Sequence, residues 1–233
     1  VCQALSDKVR AQYPRANIHQ IEDIPILSEK PTAKRGHEKL KTAFSLGDSH
    51  RVVYMGNLEA YQGIDLLIQS HQRLMTMDLK RNDCKLIIVG GSPAQIEHYK
   101  RKYDDDKIKK GSIIWVGQRP SQEMALWMEL SHVLVSPRSE GENTPLKIYT
   151  YMSSGRPIVA TRRLTHLQVL NDSVVFLAEP DPESFSAAIY AALHDKESSL
   201  QKAKNAKKLV EDHYSFRVFR KKLLEAYSFV ERS

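Results

Sequence analysis

From residue 51 onward, short apolar runs rich in β-branched residues alternate with stretches of helical periodicity, and no other feature limits the fold as much. The runs are Val52–Met55, Leu86–Val89, Ile113–Val116, Val133–Val135, Ile158–Ala160 and Val174–Leu177. Each is apolar at consecutive positions, as a strand covered on both faces requires. Between them the pattern predicts helices over Ile64–Met77, Ala94–Tyr103, Glu123–Leu130, Pro145–Ser154, Leu164–Asn171 and Pro182–His194. Three are announced by a cap residue followed by proline: Ser92-Pro93, Thr144-Pro145 and Asp181-Pro182. Proline costs little at a first helical position, where its missing N–H would have no helical partner. Repeated strand–helix units predict an α/β fold built on a doubly wound parallel sheet. Two further helices, at 196–212 and 215–230, close the chain.

Composition narrows the function classes. The 233 residues, 41% hydrophobic and 27% charged, suffice for a packed core. No apolar run approaches the length of a membrane span. Val1-Cys2-Gln3 leads into a polar helical pattern rather than a signal peptide, and the missing initiator Met suggests a piece of a longer chain. Two cysteines, Cys2 and Cys84, make no disulfide framework or zinc pattern and fit a reducing compartment. Nine scattered histidines include no paired ligand spacing, so no metal site is expected. The net charge of +7 is gathered at Lys30–Lys41, Lys100–Lys110 and Lys202–Lys222, without interleaved aromatics. That pattern reads as solvated helix faces, and no nucleic-acid partner is expected.

The stretch from Ser136 to Thr161 carries the chemistry. A strand ends, a polar loop Ser139-Glu140-Gly141-Glu142-Asn143 follows, and Thr144 (as N-cap) with Pro145 (as first helical residue) starts a helix that Gly155 stops. The loop thus delivers the N–H groups of a helix start to the carboxyl end of a strand, where open α/β sheets bind ligands and phosphate is favoured. Lys147, in the first turn, adds positive charge.

From Pro145 to Thr161 this segment resembles the donor-site signature of retaining GT-B glycosyltransferases of the group 1, family 4 type, roughly P-L-K-x-x-E-Y-M-A-x-G-x-P-I-V-A-T. The resemblance extends over residues 50–230. It implies the C-terminal, nucleotide-sugar half of a two-domain enzyme that transfers a sugar from a nucleotide diphospho-sugar to an acceptor hydroxyl, with retention and without metal. Such enzymes usually carry two glutamates eight positions apart. Counting back from Gly155 puts Thr150 at the second position and Glu142 at the first. Glu140 matches instead if the alignment gaps differently. By the resemblance Glu142 is the catalytic carboxylate at the donor sugar, and Thr150 replaces the ribose-binding one. Gly141, Asn143, Thr144, Pro145, Leu146 and Lys147 form the helix start around sugar and diphosphate.

A second donor segment, Gly56-Asn57-Leu58-Glu59-Ala60-Tyr61-Gln62-Gly63, resembles the family pattern G-R-L-x-x-x-K-G. Gly56 and Gly63 match, but Asn57 and Gln62 stand where the family has Arg and Lys. Those cations neutralise the diphosphate as it leaves. Lys147, Arg138 or Arg119 could compensate. Gln118 and Arg119 follow a strand and by the resemblance flank the base; a plain helix-capping turn is the alternative. Gly90-Gly91 is a strand-to-helix turn lining the cleft. His166 is expected at the surface.

The first fifty residues lie outside the rhythm. A helix is expected over 1–13, a short strand over Ile18–Ile21 and a helix over Lys34–Phe44. By the resemblance, 1–27 are the last helix and strand of the acceptor half, 28–48 a linker, 49–212 the donor domain and 213–233 a helix crossing back. No cofactor is implied, only a UDP- or GDP-linked sugar as substrate. The implied acceptor is a glycan, lipid-linked sugar or small alcohol. The implied location is cytoplasmic, with possible peripheral contact to the inner membrane face. A nucleotide or sugar-nucleotide binding module without transfer activity is the alternative.

Overall fold

The structure, a computed structural model, describes residues 2–26, 33–77, 84–103 and 111–230. Parts of the expected linker and of the basic stretch Lys100–Lys110 lie outside these residues. Six strands form one parallel sheet: β1 (His50–Met55), β2 (Cys84–Val89), β3 (Ile113–Gly117), β4 (Val133–Ser136), β5 (Ile158–Thr161) and β6 (Phe176–Ala178). Their spatial order is β3-β2-β1-β4-β5-β6, the doubly wound arrangement. The connecting helices are α3 (Ile64–Met77), α4 (Pro93–Lys102), α5 (Met124–Leu130), α6 (Leu146–Ser153), α7 (Leu164–Leu167) and α8 (Pro182–His194). The chain enters through α1 (Gln3–Gln12) and α2 (Ala33–Ala43), and closes with α9 (Lys196–His213) and α10 (Phe216–Val230).

Alternate residues of each strand build two cores. Val53, Met55, Ile87, Leu134 and Ile158 pack against Trp127, Tyr149 and Val210 on one face. Val52, Tyr54, Ile88, Val133 and Val159 pack against Leu67, Phe185 and Ile189 on the other. Both faces are therefore dry, which explains the unbroken apolar runs in the sequence.

Several expectations need correction. Val174 and Val175 are buried but lie in a turn, with both N–H groups bonded to Asn171 O, so β6 begins only at Phe176. Burial, rather than a strand, made them apolar. The helix expected to reach Asn171 is the short α7: the N–H of Val169 bonds to His166 O, three residues back, so the last turn tightens and the regular helix stops. Ile18–Ile21 forms no strand. That segment is irregular and packs toward α10, with His19 on the Phe229 ring (centroids 5.3 Å apart) and Glu22 paired with Lys222. His166 is fully buried rather than at the surface.

The proline-preceded helix starts divide. Ser92 makes a full capping box with Gln95, and Asp181 accepts from Ser184 N at 2.8 Å. Thr144 does not cap. Pro145, extended at ψ 130°, takes the cap position, and α6 starts one residue later than expected. Thr144 is left buried, with its hydroxyl near the Tyr149 phenol and not on a helix N–H.

Candidate functional site

In this strand order β1 and β4 are neighbours whose outgoing connections run to opposite sides, so a crevice opens beyond Met55 and Ser136. The loop after β1 and the loop after β4 meet across it. Tyr61 O accepts from Ser139 N at 3.1 Å. Gly63 has φ +74°, and a Cβ there would lie 2.0 Å from Pro137 O. Only glycine fits where the two loops touch.

Lys147 projects from the first turn of α6 to the end of β1. Its Nζ donates to Met55 O at 3.3 Å and to Gln62 Oε1 at 3.1 Å, and lies 4.1 Å from the centre of the Tyr54 ring. A Cβ at Gly56 would crowd this spot, 2.9 Å from the Tyr54 hydroxyl and 3.1 Å from the ammonium. Burial, with a smaller contribution from the Arg138 charge, lowers the Lys147 pKa to about 7. The residue nevertheless keeps part of its surface in the crevice.

Arg138 is the second buried cation. Its Nε donates to Glu140 O at 2.8 Å, and NH2 donates to Asn143 Oδ1 at 2.9 Å. Its guanidinium stands 5.0 Å from the Tyr61 ring centre. Gly141, at φ +104°, passes so close that a Cβ would meet the guanidinium at 2.5 Å. Below this loop the His166 ring joins the ends of two strands. Its Nε2 is 2.9 Å from Ser136 Oγ, and its Nδ1 is 2.9 Å from Thr161 O. Burial holds its pKa down at about 4, so the ring is neutral near neutral pH.

Two cavities share Gly56 and Met124. One, of about 610 Å³, is lined by Met55, Leu146, Lys147, Thr150, Met128 and Ile26, among others. The other, of about 370 Å³, is lined by Asn57, Gly90, Gly91, Gln118 and Arg119, among others. The fold thus brings the expected donor residues Gly56, Asn57, Gln118, Arg119, Leu146, Lys147 and Thr150 to one crevice. Gln62 is buried behind Lys147.

Other expected residues stand differently. The Glu142 side chain is ion-paired with Lys8 of α1 and lines neither cavity. Arg119 is held in a two-bond pair with Glu123 at 2.8 and 2.9 Å. Asn143 serves the loop by accepting from Arg138 through its side chain and from Thr165 through its carbonyl. Sequence reasoning did not pick out Tyr54, Tyr61, Met124 or Ile26. A tyrosine inside an otherwise aliphatic strand was the one signal available for Tyr54. Among the described residues no three His, Cys, Asp or Glu side chains form a metal-holding group, and no helix is long and apolar enough to cross a membrane.

Comparison with known proteins gives the family and the fold. The family model described as "Glycosyl transferases group 1" matches residues 49–195. "Putative glycosyltransferase YtcC" of Bacillus subtilis (strain 168) is 27% identical over 219 residues, covering 88% of this chain and 51% of that protein. The chain therefore spans about half the length of this relative. A glycosyltransferase from Rickettsia africae superposes with a TM-score of 0.82 at 15% identity, over 100% of this chain and 63% of that one. Anabaena Alr3699/HepE, solved with UDP and glucose, gives 0.72 at 16% identity, over 91% and 56%. Staphylococcus aureus TarM, solved as a G117R mutant with fondaparinux, alpha-GlcNAc-glycerol and UDP, gives 0.74 at 19%, over 97% and 42%.

Proposed function

The chain belongs to the group 1 glycosyl transferases, and on that premise we propose that it is the donor-binding half of a glycosyltransferase. The substrate is a nucleotide diphospho-sugar, UDP- or GDP-linked, lying across the carboxyl ends of β1 and β4. The observation that carries this reading is the pair of adjoining cavities at the switch point, with the Lys147 ammonium beside their shared wall at Gly56. Two solved relatives of the same fold carry UDP, one with glucose and the other with a glycosylated glycerol.

In this reading the diphosphate meets the first N–H groups of α6 and the Lys147 ammonium, where helix dipole and charge act together. Thr150 faces the ribose, Gln118 and Arg119 flank the base, and the segment from Gly141 to Asn143 approaches the sugar. Glu142 reaches the sugar only after leaving Lys8. The bond from the anomeric carbon to the leaving phosphate oxygen breaks. A new bond forms from that carbon to the acceptor oxygen on the same face. The acceptor proton passes to the departing phosphate, leaving a nucleoside diphosphate and a glycosylated acceptor. No metal takes part. The acceptor, a glycan, lipid-linked sugar or small alcohol, arrives from a further domain, of which 1–27 are the end and to which 213–233 return. Polysaccharide synthesis at the cytoplasmic face of a membrane is the setting that fits.

The test is product formation by the full-length protein from a sugar nucleotide and a mixed acceptor pool. Nucleoside diphosphate release matched by glycosylated product, unchanged by EDTA, is expected. Asn57 and Gln62, neutral where the family has cations, favour a second reading, a sugar-nucleotide binder without transfer. Tight binding with no product from any acceptor would establish that alternative.

A further inference from the structure

We infer that α1 is a latch on the donor site. Docked, it keeps the Glu142 carboxylate from the crevice through Lys8, and Gln168 is the positioning residue that joins α1 to the loop after β4. Docking of α1 and reading of the donor sugar by Glu142 therefore exclude one another. The inference rests on the donor-binding reading and adds a regulation of that site.

Three observations carry it. First, the backbone and the side chain of Glu142 are held from different elements. Gln168, which ends α7, donates from Nε2 to Glu142 O at 2.6 Å, and Thr165 Oγ1 donates to the next carbonyl, Asn143 O, at 2.7 Å. The loop backbone is thus fixed on α7. The carboxylate is left to change partners, and its ion-pair partner is Lys8 of α1. Second, the same glutamine caps α1. Cys2, at the cap position, makes no side-chain bond to the helix start. Gln168 Oε1 instead accepts from Ala4 N at 2.7 Å. One amide group therefore ties the first turn of α1 to the carbonyl of the residue whose side chain α1 holds.

Third, α1 buries little of itself. Among its ten residues only Ser6 is buried, and Val9 is 45% exposed. So short a helix is marginal by itself in water, and an element with few buried apolar contacts opens readily. The Lys8–Glu142 pair is exposed, so a sugar hydroxyl can compete for the carboxylate. Linkage then has a consequence: a sugar that undocks α1 must bind more tightly to a chain in which α1 is already loose.

The test is amide hydrogen exchange of the α1 segment Gln3–Gln12 in the chain saturated with UDP, UDP-glucose, GDP or GDP-mannose, with affinities taken from calorimetry. The sugar conjugate that binds should speed exchange in α1 several-fold, whereas its free nucleoside diphosphate should leave α1 as it is. Lys8→Met, at a side chain 62% exposed, should speed exchange in α1 without ligand. It should tighten the sugar conjugate by about threefold, within the range of an exposed ion pair, and leave the nucleoside diphosphate unaffected. With Glu142→Ala also present that gain should vanish. Gln168→Leu should release α1 with or without ligand, while Gln168→Glu, which keeps an acceptor for Ala4 N, should keep α1 docked. A merely structural role for Gln168 would leave the response of α1 to the sugar as in wild type. If a sugar conjugate binds and exchange in α1 is unchanged or slower, or if the Lys8→Met gain survives Glu142→Ala, the latch is overturned and donor binding stands. If no sugar conjugate binds the wild-type chain, donor binding falls and takes the latch with it.

Discussion

The backbone N–H of Ile26 donates to Oγ1 of Thr150 at 3.1 Å, so the side chain expected at the ribose is already engaged by the chain's own N-terminal segment. Both residues line the larger cavity. A hydroxyl can still donate its own proton to a ribose oxygen while accepting from Ile26. Thr150→Val should therefore weaken nucleoside diphosphate binding by about fivefold, the worth of one neutral hydrogen bond of ~1 kcal/mol. Thr150→Glu should tighten it, because a carboxylate accepts from both ribose hydroxyls. Affinities of both variants unchanged from wild type would remove residue 150 from the ribose.

Glu142 and Lys8 form an ion pair whose side chains are 47% and 62% exposed. Such pairs contribute at most ~1 kcal/mol. Glu142→Ala should thus barely change the urea midpoint. It should weaken a sugar nucleotide more than the matching free nucleotide, compared side by side in one titration series. Equal losses for the two ligands would show that Glu142 does not read the sugar.

Gly63→Ala should be costly. The substitution would put Cβ at 2.0 Å from Pro137 O, on a backbone at φ +74°. A loss of about 2 kcal/mol or more of unfolding free energy is expected. Nucleotide binding should fall with it, because the loops after β1 and β4 can no longer touch. A near-wild-type denaturation curve would mean that the loops are free to separate.

Most of the sheet was readable because burial on both faces writes itself as continuous β-branched runs. The same rule misplaced β6, since Val174 and Val175 are buried in a turn held by Asn171. Thr144-Pro145 looked like Ser92-Pro93 and Asp181-Pro182, yet only the latter two cap. The difference lies in the backbone: Pro145 is itself extended, so Thr144 falls one residue too early. The local pattern around α6 announced a phosphate-friendly helix start. It did not reveal that Gln62, 85 positions away, would orient Lys147, or that Lys8 would hold Glu142. Those relations depend on which loops the topology brings together, and no local period encodes them.

Stability should fall with acid in a defined window. His166, His71 and His132 have pKa values lowered to about 4, mainly by burial. The unfolded chain binds protons at these rings near pH 6.5, whereas the folded chain does so only near pH 4. Their stabilising contribution is therefore complete above about pH 6.5 and is lost as the pH falls toward about 4. Urea unfolding at stepped pH should show this slope, and His166→Asn should reduce it by close to one proton. A flat profile over that range would show that these rings take up protons in the folded state.

The melting temperature of the chain with UDP, GDP, ADP and their sugar conjugates tests donor binding at the β1–β4 crevice most directly. A ligand at about 100 times its dissociation constant adds ~2.7 kcal/mol of stability, which shifts the transition by several degrees. One nucleotide family should raise the transition selectively, and Lys147→Met should abolish the rise. No rise with any nucleotide, or an undiminished rise in Lys147→Met, would contradict a diphosphate site at the start of α6.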